Sequence, residues 1–344
     1  MATYKGIKGT GIDKLASDPS PNAQNAGRVW YNTSSNTWKL VKGPGSIGTD
    51  GSWASGNVIP TPRSQSKGAG GPAAAIIFAG GSSTGGPGGL VTNEFDGTCW
   101  AIANSMVAVN TNCGGSGSAA DAVAAGGGPG ACQDWNGTSW AVANSLNTGR
   151  GNCGPIVGPG SAAQCNDGPS AGGATEQWDG TCWTTVPGTT INTYQERMGF
   201  GTQAAAVEAG GEGSPASPQT DTEEWNGTSW SAGGALNNGR GNSSSTGGTQ
   251  TAGIVSCGGP SPSGTSAQLQ GTEAYDGSTW TVCEETTQPH GGGAVGGGES
   301  TASTQAAFYV AGGYTPAGPP GFHWYDETDQ WTFDEYAVKA ITTS

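Results

Sequence analysis

Short apolar runs that end in glycine recur along most of the chain. Clear copies occupy residues 74–81, 204–211, 253–259 and 306–313. Each run holds about five apolar residues, which is typical of a buried strand. No long segment carries apolar residues at helical spacing, and no apolar run is long enough to span a membrane. The pattern therefore predicts a chain of short strands.

A second motif follows these runs: an aromatic residue, Asp-Gly or Asn-Gly, two small residues and a tryptophan. Copies lie at 94–100, 134–140, 177–183, 224–230 and 274–280, with a looser copy at 325–331 and a truncated one at 50–53. Because Asp-Gly and Asn-Gly favour two-residue turns with positive φ, we expect a tight hairpin centred on each pair. The tryptophan intervals, counted from Trp53, are 47, 40, 43, 47, 50 and 51 residues. A polar turn, often with arginine, precedes the apolar run; its arginines are Arg63, Arg150, Arg197 and Arg240.

Such a period, with about four short strands per repeat, is typical of a β-propeller blade. The order of Gly-Gly, Tyr-Asp and Trp resembles the kelch repeat over about residues 49–333. Segments 201–206 and 222–230, with 15–20 and 27–33 near the start, are similar to a glycine- and threonine-rich version of this repeat in virion and tail proteins of marine bacteriophages. The third repeat departs from the pattern, since residues 164–168 stand where its glycine pair is expected.

The expected fold is an all-β, kelch-like β-propeller (43–344) behind a short basic attachment segment (1–42) with a β-hairpin at 29–40. Six complete copies favour six blades, with the strand at Trp53 pairing with the last blade to close the ring. Seven blades are the alternative. The seventh would combine the 31–38 hairpin, Trp53 and the segment 336–343.

Composition alone would suggest disorder, because 65 of the 344 residues are glycine. Thirteen tryptophans argue instead for a packed core. Charge is uneven: residues 1–42 sum to +4 and the remainder to −18, which gives the total of −14. We interpret the basic segment as a docking element for a partner, and the acidic remainder argues against non-specific nucleic-acid binding.

Eight cysteines allow two interpretations. Cys113–Cys132, Cys153–Cys165 and Cys257–Cys283 would each form a disulfide within one blade, or the thiols are buried in a chain made in a reducing cytoplasm. Their spacing does not fit a zinc site.

Catalytic chemistry finds little support in the sequence. Some kelch-type propellers are copper oxidases, but His290 and His323 are the only histidines and lie in different repeats. Acids recur about once per repeat (Glu94, Glu176, Glu223, Glu224 and Glu273), which favours a shared role such as bonding loop amides over a single catalytic pair. Calcium binding by Asp167 or Asp221 stays open, although no EF-hand spacing occurs. We expect no enzyme activity, cofactor or metal.

Binding is expected in the loops that follow the glycine pairs, at 82–93, 212–222, 260–272 and 314–322. The candidate site is the aromatic cluster Tyr314, Phe322, His323 and Trp324, which would stack on a sugar; the alternative is that Phe322 and Trp324 alternate along a core strand of the sixth blade. The resemblance implies a virion protein, tail-associated or fibre-like, that binds other virion proteins (tail, baseplate or capsid) through residues 1–42 and a host-surface glycan through its loops. It implies no membrane insertion and leaves a homo-oligomer open. The alternatives are a decoration or cement protein without a receptor, and a carbohydrate-active or oxidase propeller. Residues 1–14 lack the apolar core of a secretory signal, so we expect synthesis in the bacterial cytoplasm.

Overall fold

The computed structural model describes most of the chain as strands and turns. The described residues are 14–20, 28–42, 51–64, 66–82, 88–109, 113–127, 131–151, 155–168, 171–213, 217–241, 245–258, 270–288, 290, 297–298, 307–316, 322–324, 326–333 and 337–340. Within them, helical structure is limited to single 3-10 turns at Gly88–Leu90 and Gly160–Ala162. None of these described helices is long and apolar enough to cross a membrane. The all-β prediction is confirmed for this part of the chain.

The chain divides into two compact units. The first comprises residues 1–46 and 333–344, and the second comprises residues 47–332. In the first unit, four strands form one sheet in the order β1 (Lys14–Leu15), β2 (Val29–Asn32), β3 (Thr37–Lys42) and β34 (Ala337–Ala340). β2 and β3 form an antiparallel hairpin, and β34 adds antiparallel to β3.

The second unit is a succession of antiparallel sheets. The first sheet has β6 (Lys67–Gly71), β7 (Ala74–Phe78), β9 (Thr92–Phe95) and β10 (Trp100–Ala103), with β29 (Gly297–Gly298) added parallel to β6. The second has β11 (Cys113–Gly117), β12 (Ala122–Gly126), β13 (Cys132–Trp135) and β14 (Trp140–Ala143). The third has β15 (Ile156–Val157), β16 (Gln164–Cys165), β17 (Ala174–Trp178) and β18 (Trp183–Thr189).

The later sheets repeat this order. The fourth has β19 (Met198–Gly201), β20 (Ala206–Ala209), β23 (Thr222–Trp225) and β24 (Trp230–Ala232). The fifth has β25 (Ser245–Thr249), β26 (Ala252–Ser256), β27 (Thr272–Tyr275) and β28 (Trp280–Val282). The sixth has β30 (Ala307–Ala311), β33 (Thr328–Phe333) and, from the start of the unit, β4 (Gly51–Ser55).

Three two-stranded pairs complete the described strands. They are β5 (Arg63–Ser64) with β8 (Gly81–Ser82), β21 (Glu212–Gly213) with β22 (Ser217–Pro218), and β31 (Tyr314–Pro316) with β32 (Phe322–Trp324).

Contacts between the sheets run in sequence and return to their start. β6 contacts β11, β11 contacts β15, β15 contacts β19, β19 contacts β25, β25 contacts β30, and β30 contacts β6. β6, β11, β19 and β25 are the first strands of their sheets and are rich in glycine, which lets neighbouring sheets approach closely, whereas β30 is the second strand of its sheet. At Gly115 on β11, for example, a Cβ atom would overlap the ring of Phe78 on β7. This arrangement is consistent with a β-propeller-like fold.

Tryptophans on four of the outer strands each tie their sheet to the one before it. Each indole N–H donates to the hydroxyl of a buried threonine at the start of a third strand. The bonds are Trp140 to Thr92 (2.9 Å), Trp230 to Thr175 (3.0 Å), Trp280 to Thr222 (3.0 Å) and Trp53 to Thr272 (3.1 Å). Trp53 thus occupies the outer-strand position of the sixth sheet, where its ring also packs on Trp331. The three segments of the seven-blade alternative do not share a sheet, since Trp53 lies in the sixth sheet while β3 and β34 pair in the first unit.

The Asp/Asn-Gly hairpins differ in register from the expectation. In the first sheet Asp96 N–H donates to the Cys99 carbonyl (3.3 Å), so Gly97 and Thr98 are the two central residues. Gly97 alone has positive φ (+88°), as in turns that place glycine first. The Asp96 carboxylate accepts the N–H groups of Thr98 and Cys99, each at 2.8 Å. Centring the turn on Asp-Gly was therefore wrong by one residue, because the Asp side chain caps the turn from its first position.

The expected glycine pair is, in the structure, a pair of consecutive residues with positive φ, and not all of them are glycine. Two consecutive residues with positive φ end the second strand of all six sheets: Ala79–Gly80, Gly126–Gly127, Asp167–Gly168, Gly210–Gly211, Cys257–Gly258 and Gly312–Gly313. Asp167–Gly168 fills the place in the third repeat where the sequence shows no glycine pair. The second residue binds forward to the next repeat: the N–H of Gly313 donates to the carbonyl of Arg63 at 2.8 Å, which joins the sixth repeat to the first.

Candidate functional site

A buried arginine organises the loop that enters the fifth sheet. Arg240 Nη2 donates to Glu273 Oε1 (2.6 Å), and Nη1 donates to the carbonyls of Gly271 (2.7 Å) and Cys257 (3.3 Å). Both charged side chains are essentially inaccessible to solvent. Glu273 in turn accepts the backbone N–H groups of Asn237 (2.8 Å) and Asn238 (3.1 Å) from the same loop. We call this set of a buried cation, a third-strand acceptor and the loop amides the loop clamp.

The third and fourth sheets repeat the loop clamp. Arg150 pairs with Glu176 at 2.8 Å and Arg197 pairs with Glu223 at 2.7 Å. Glu176 accepts the N–H groups of Asn147 (2.7 Å) and Thr148 (3.0 Å), and Glu223 accepts those of Ile191 (2.6 Å) and Asn192 (3.0 Å). The expectation that recurring acids bond loop amides is thus confirmed for Glu176, Glu223 and Glu273.

The other two acids of that set hold a different position. Glu94 and Glu224 lie one residue further along their third strands, opposite Ala101 and Ser231. Glu224 accepts the hydroxyl of Tyr275 at 2.6 Å. The five acids therefore occupy two different positions on the third strands, which the sequence pattern did not distinguish.

Three sheets carry altered clamps. In the first, Arg63 Nη2 donates to the neutral Asn93 Oδ1 (2.5 Å), and burial lowers the pKa of Arg63 to about 10. In the second, Gln133 Oε1 accepts the N–H groups of Val107 (2.8 Å) and Ala108 (3.2 Å). By sequence the arginine position there is Asn110, which lies outside the described residues. In the second sheet, therefore, a neutral glutamine takes the place of the acid, and an asparagine takes the place of the arginine in the sequence.

In the sixth sheet, His290 and Asp329 take the places of arginine and glutamate. His290 Nε2 lies 3.3 Å from Asp329 Oδ2, and its Nδ1 lies 2.6 Å from the carbonyl oxygen of Gly312. Burial alone would raise the pKa of Asp329, but hydrogen bonds from His290 and Thr287 outweigh it and hold that pKa below its usual value.

The fourth sheet holds additional buried carboxyl groups. Glu208 stands opposite Glu223 on the neighbouring strand, and its Oε2 lies 3.4 Å from Arg197 Nη1. The equivalent residue is Val255 in the fifth sheet and Val310 in the sixth. Burial raises the pKa of Glu208 well above its usual value. Burial also raises the pKa of Asp167, to about 6.

Perturbed carboxyl groups of this kind are often found at catalytic centres. Glu208 and Asp167 are both fully buried, however, so a substrate has no access to them in this conformation. Asp167 accepts the backbone N–H of Tyr194 (2.9 Å), while Asp221 accepts its hydroxyl (3.3 Å). The two residues weighed for calcium binding therefore hold the same tyrosine. Across the described ranges, no three His, Cys, Asp or Glu side chains are placed to share a metal ion.

The predicted aromatic site lies on the β31–β32 hairpin. Tyr314 stands opposite Trp324, Thr315 opposite His323, and Pro316 opposite Phe322. The hairpin is separate from the sixth sheet, whose strands are β30, β33 and β4. Placing Phe322 and Trp324 along a strand of that sheet was therefore wrong, because the segment turns out of the sheet between β30 and β33. The β21–β22 hairpin occupies the corresponding place between β20 and β23.

Two of the disulfides weighed from the sequence are excluded by strand order. Cys113 on β11 stands opposite Gly126, and Cys132 on β13 stands opposite Ala125, so β12 lies between them. Cys257 and Cys283 likewise lie on opposite sides of the chain that enters β27, since the N–H of Cys257 donates to the carbonyl of Gly271 and the N–H of Cys283 donates to the carbonyl of Thr272. Residues two strands apart are about 9–10 Å from each other, beyond disulfide reach. Cys153 lies outside the described residues. Cys99 and Cys182 are exposed thiols in equivalent hairpin turns.

Comparison with known proteins supports the fold alone. No protein-family model and no curated protein matches the chain. A solved structure titled "Structure of YjhT" superposes with a TM-score of 0.62 at 11% sequence identity, covering 82% of this chain and 98% of that one. At this identity the likeness concerns the chain fold and says nothing of the activity.

Proposed function

We propose that this protein is a non-enzymatic structural protein of a bacteriophage virion, tail-associated or fibre-like. In this proposal a six-bladed, kelch-like β-propeller displays loops that bind a host-surface glycan. The observation that carries the proposal is the use of the buried charges. Arg63, Arg150, Arg197 and Arg240 each fix a connecting loop to a sheet, so the charged groups of the interior serve loop placement. Loops held by a rigid scaffold are where binding generally resides.

Three features support six blades. The sheets contact one another in a cycle that returns to β6, and six positive-φ pairs end six second strands. The strand from the start of the unit, β4, completes the sheet of β30 and β33. Closure of this kind removes open sheet edges between the first and last repeats.

The β31–β32 hairpin is the proposed binding element. Tyr314, Phe322 and Trp324 put three aromatic residues into two short paired strands, and aromatic rings offer an apolar face together with a polar edge, which suits a sugar ring. His323 adds a polar side chain to the set. The proposed site therefore comprises Tyr314, Phe322, His323 and Trp324.

The virion assignment rests on the resemblance of the repeats and on the charge of residues 1–42. Of that segment, the structure describes 14–20 and 28–42. We propose that its net charge of +4 attaches the protein to an acidic surface of another virion protein.

Glycan binding is tested with purified protein on a glycan array and on intact host cells. Tyr314→Ala and Trp324→Ala should each reduce binding at least tenfold, about the effect of one lost stacking contact. Trp38→Ala is the matched control, because Trp38 is a 41% exposed tryptophan in the other unit. Equal loss in all three variants would contradict the site, and no binding by the wild type would favour the decoration or cement role.

Attachment is tested separately by virion incorporation. Reversal of Lys5, Lys8 and Lys14 to glutamate should abolish incorporation, while the double change Glu284→Gln and Glu285→Gln in an exposed loop should not. Wild-type incorporation of the charge-reversed protein would refute the docking proposal.

A further inference from the structure

His290 reproduces the contacts of a clamp arginine. In the fifth sheet, Arg240 donates to the carbonyl of Cys257, the first residue of the positive-φ pair, and to Glu273. His290 makes the equivalent two contacts, with the carbonyl of Gly312 at 2.6 Å and with Asp329 at 3.3 Å. The imidazole thus occupies a position where four other sheets place a permanent cation.

Both partners of the ring are acceptors. A backbone carbonyl has no hydrogen to give, and an ionised carboxylate has none either. A neutral imidazole donates from one nitrogen only, so one of the two contacts would then set a lone pair against an oxygen. The two contacts are satisfied together only when both nitrogens carry hydrogen, in the charged form.

A chain of hydrogen bonds connects this pair to the strand that completes the sixth sheet. Thr287 Oγ1 donates to Asp329 Oδ1 (2.6 Å), and the hydroxyls of Thr287 and Ser55 lie 3.0 Å apart. Ser55 is the last residue of β4. Asp329 also accepts the N–H of Gln288 at 3.2 Å. The pair therefore holds the loop at 286–288 and touches β4 through one side chain.

The charged and titratable surroundings are few among the described residues. Asp329 on β33 faces the ring directly. The Cys257 thiol, directly after β26, bonds the backbone of His290, and the charge of Arg240 acts on the same thiol. Burial raises the pKa of Cys257, so the thiol stays neutral in the range where a histidine titrates. Asp329 stays ionised in that range because its pKa is held low.

We propose that His290 and Asp329 form a pH-sensitive clamp on the sheet that joins the two ends of the second unit. With both ring nitrogens protonated, the clamp holds the 286–288 loop, the Gly312–Gly313 pair and, through Thr287, the end of β4. Loss of one ring proton breaks one of the two contacts and loosens β4. The arginine clamps of the other sheets keep their charge through the same range.

The experiment follows the ring and the strand together in the intact protein. Nitrogen-15 NMR of the side chain reports both ring nitrogens, and His323→Asn assigns the signals because the chain has two histidines. Hydrogen exchange, corrected for the intrinsic pH dependence, reports the amides of β4 and of Gln288. We expect both nitrogens to be protonated at mildly acidic pH. We also expect a rise of about 10- to 100-fold in β4 opening when the second proton leaves, the equivalent of one charge-assisted hydrogen bond.

Two variants keep the test decisive. His290→Arg should hold β4 at every pH, and His290→Gln should show fast exchange at every pH. A singly protonated ring at mildly acidic pH with β4 protected would overturn the proposal. So would identical pH profiles of β4 exchange in the wild type and in His290→Arg.

Discussion

Replacing Glu273 with glutamine isolates the charge of one loop clamp. Glutamine keeps the length and one acceptor oxygen, and Gln133 shows that such an oxygen accepts two loop amides at 2.8 and 3.2 Å. The loop at Asn237 and Asn238 should therefore stay bound. Arg240 loses its only described ionic partner, at 2.6 Å, while its bonds to two carbonyls remain. Removing one member of a buried ion pair costs ~3–5 kcal/mol, and the surviving bonds place this case near ~3 kcal/mol.

Urea denaturation followed by tryptophan fluorescence measures the loss. Glu94→Gln is the matched control, since Glu94 is a half-buried third-strand acid at the other position and should change stability by less than ~0.5 kcal/mol. In a double-mutant cycle with Arg240→Gln, we expect a coupling energy of ~2 kcal/mol or more. A cost below ~1 kcal/mol for Glu273→Gln, or additive effects in the cycle, would refute the buried ion pair as the stabilising part of the clamp.

Three further predictions concern the turns and the thiols. Gly210→Ala should destabilise the protein by ~2 kcal/mol or more, because Gly210 has φ +63° and a Cβ would overlap the carbonyl oxygen of Arg240. The control is Gly151→Ala, whose Cβ meets nothing within 4 Å and which should be neutral in the same denaturation assay. The N–H groups of the hairpins lower the pKa of Asp96, Asp179 and Asp276. The stability that these carboxylates contribute is therefore complete above the unfolded pKa near 3.8 and is lost as pH falls through the lowered folded pKa values. An NMR titration that finds the three pKa values at or above 3.8 would contradict the turn geometry. Peptide mapping without reduction should find no Cys113–Cys132 or Cys257–Cys283 bridge, and labelling of the native protein should favour Cys99 and Cys182.

The repeat was predictable because it is local. An aromatic residue, Asp-Gly or Asn-Gly, and a tryptophan fall within seven residues, and each of the five full copies forms the hairpin between a third and a fourth strand. The looser copy at 325–331 does not, because Trp331 lies on the third strand β33 and Trp53 supplies the outer tryptophan of that sheet. The positive-φ pair was only partly predictable. Glycine marks positions where φ is positive, yet Ala79 and Cys257 adopt φ of +59° and +63° at the first positions of their pairs. The sequence pattern predicted the first and fifth pairs as Gly80–Gly81 and Gly258–Gly259, which is one residue later than the pairs in the structure.

The loop clamp could not be predicted from the sequence because its members lie far apart along the chain. The arginines and the acids were each visible as recurrences, but 26 residues separate Arg150 from Glu176 and 33 separate Arg240 from Glu273. Only the fold brings these pairs together. The role of His290 as a substitute for arginine follows from its place in the sixth repeat, which a lone histidine in a loop does not reveal.

The most direct test of the account is a nuclear Overhauser measurement from the indole N–H of Trp53 in the native protein. If β4 completes the sixth sheet, this proton lies next to Thr272 and the Trp53 ring lies against Trp331. Contacts from the indole to both residues are the result that the account predicts. Contacts from Trp53 to residues 29–40 and 337–340, without any to Thr272, would show that Trp53 belongs to a seventh sheet and would contradict closure by six.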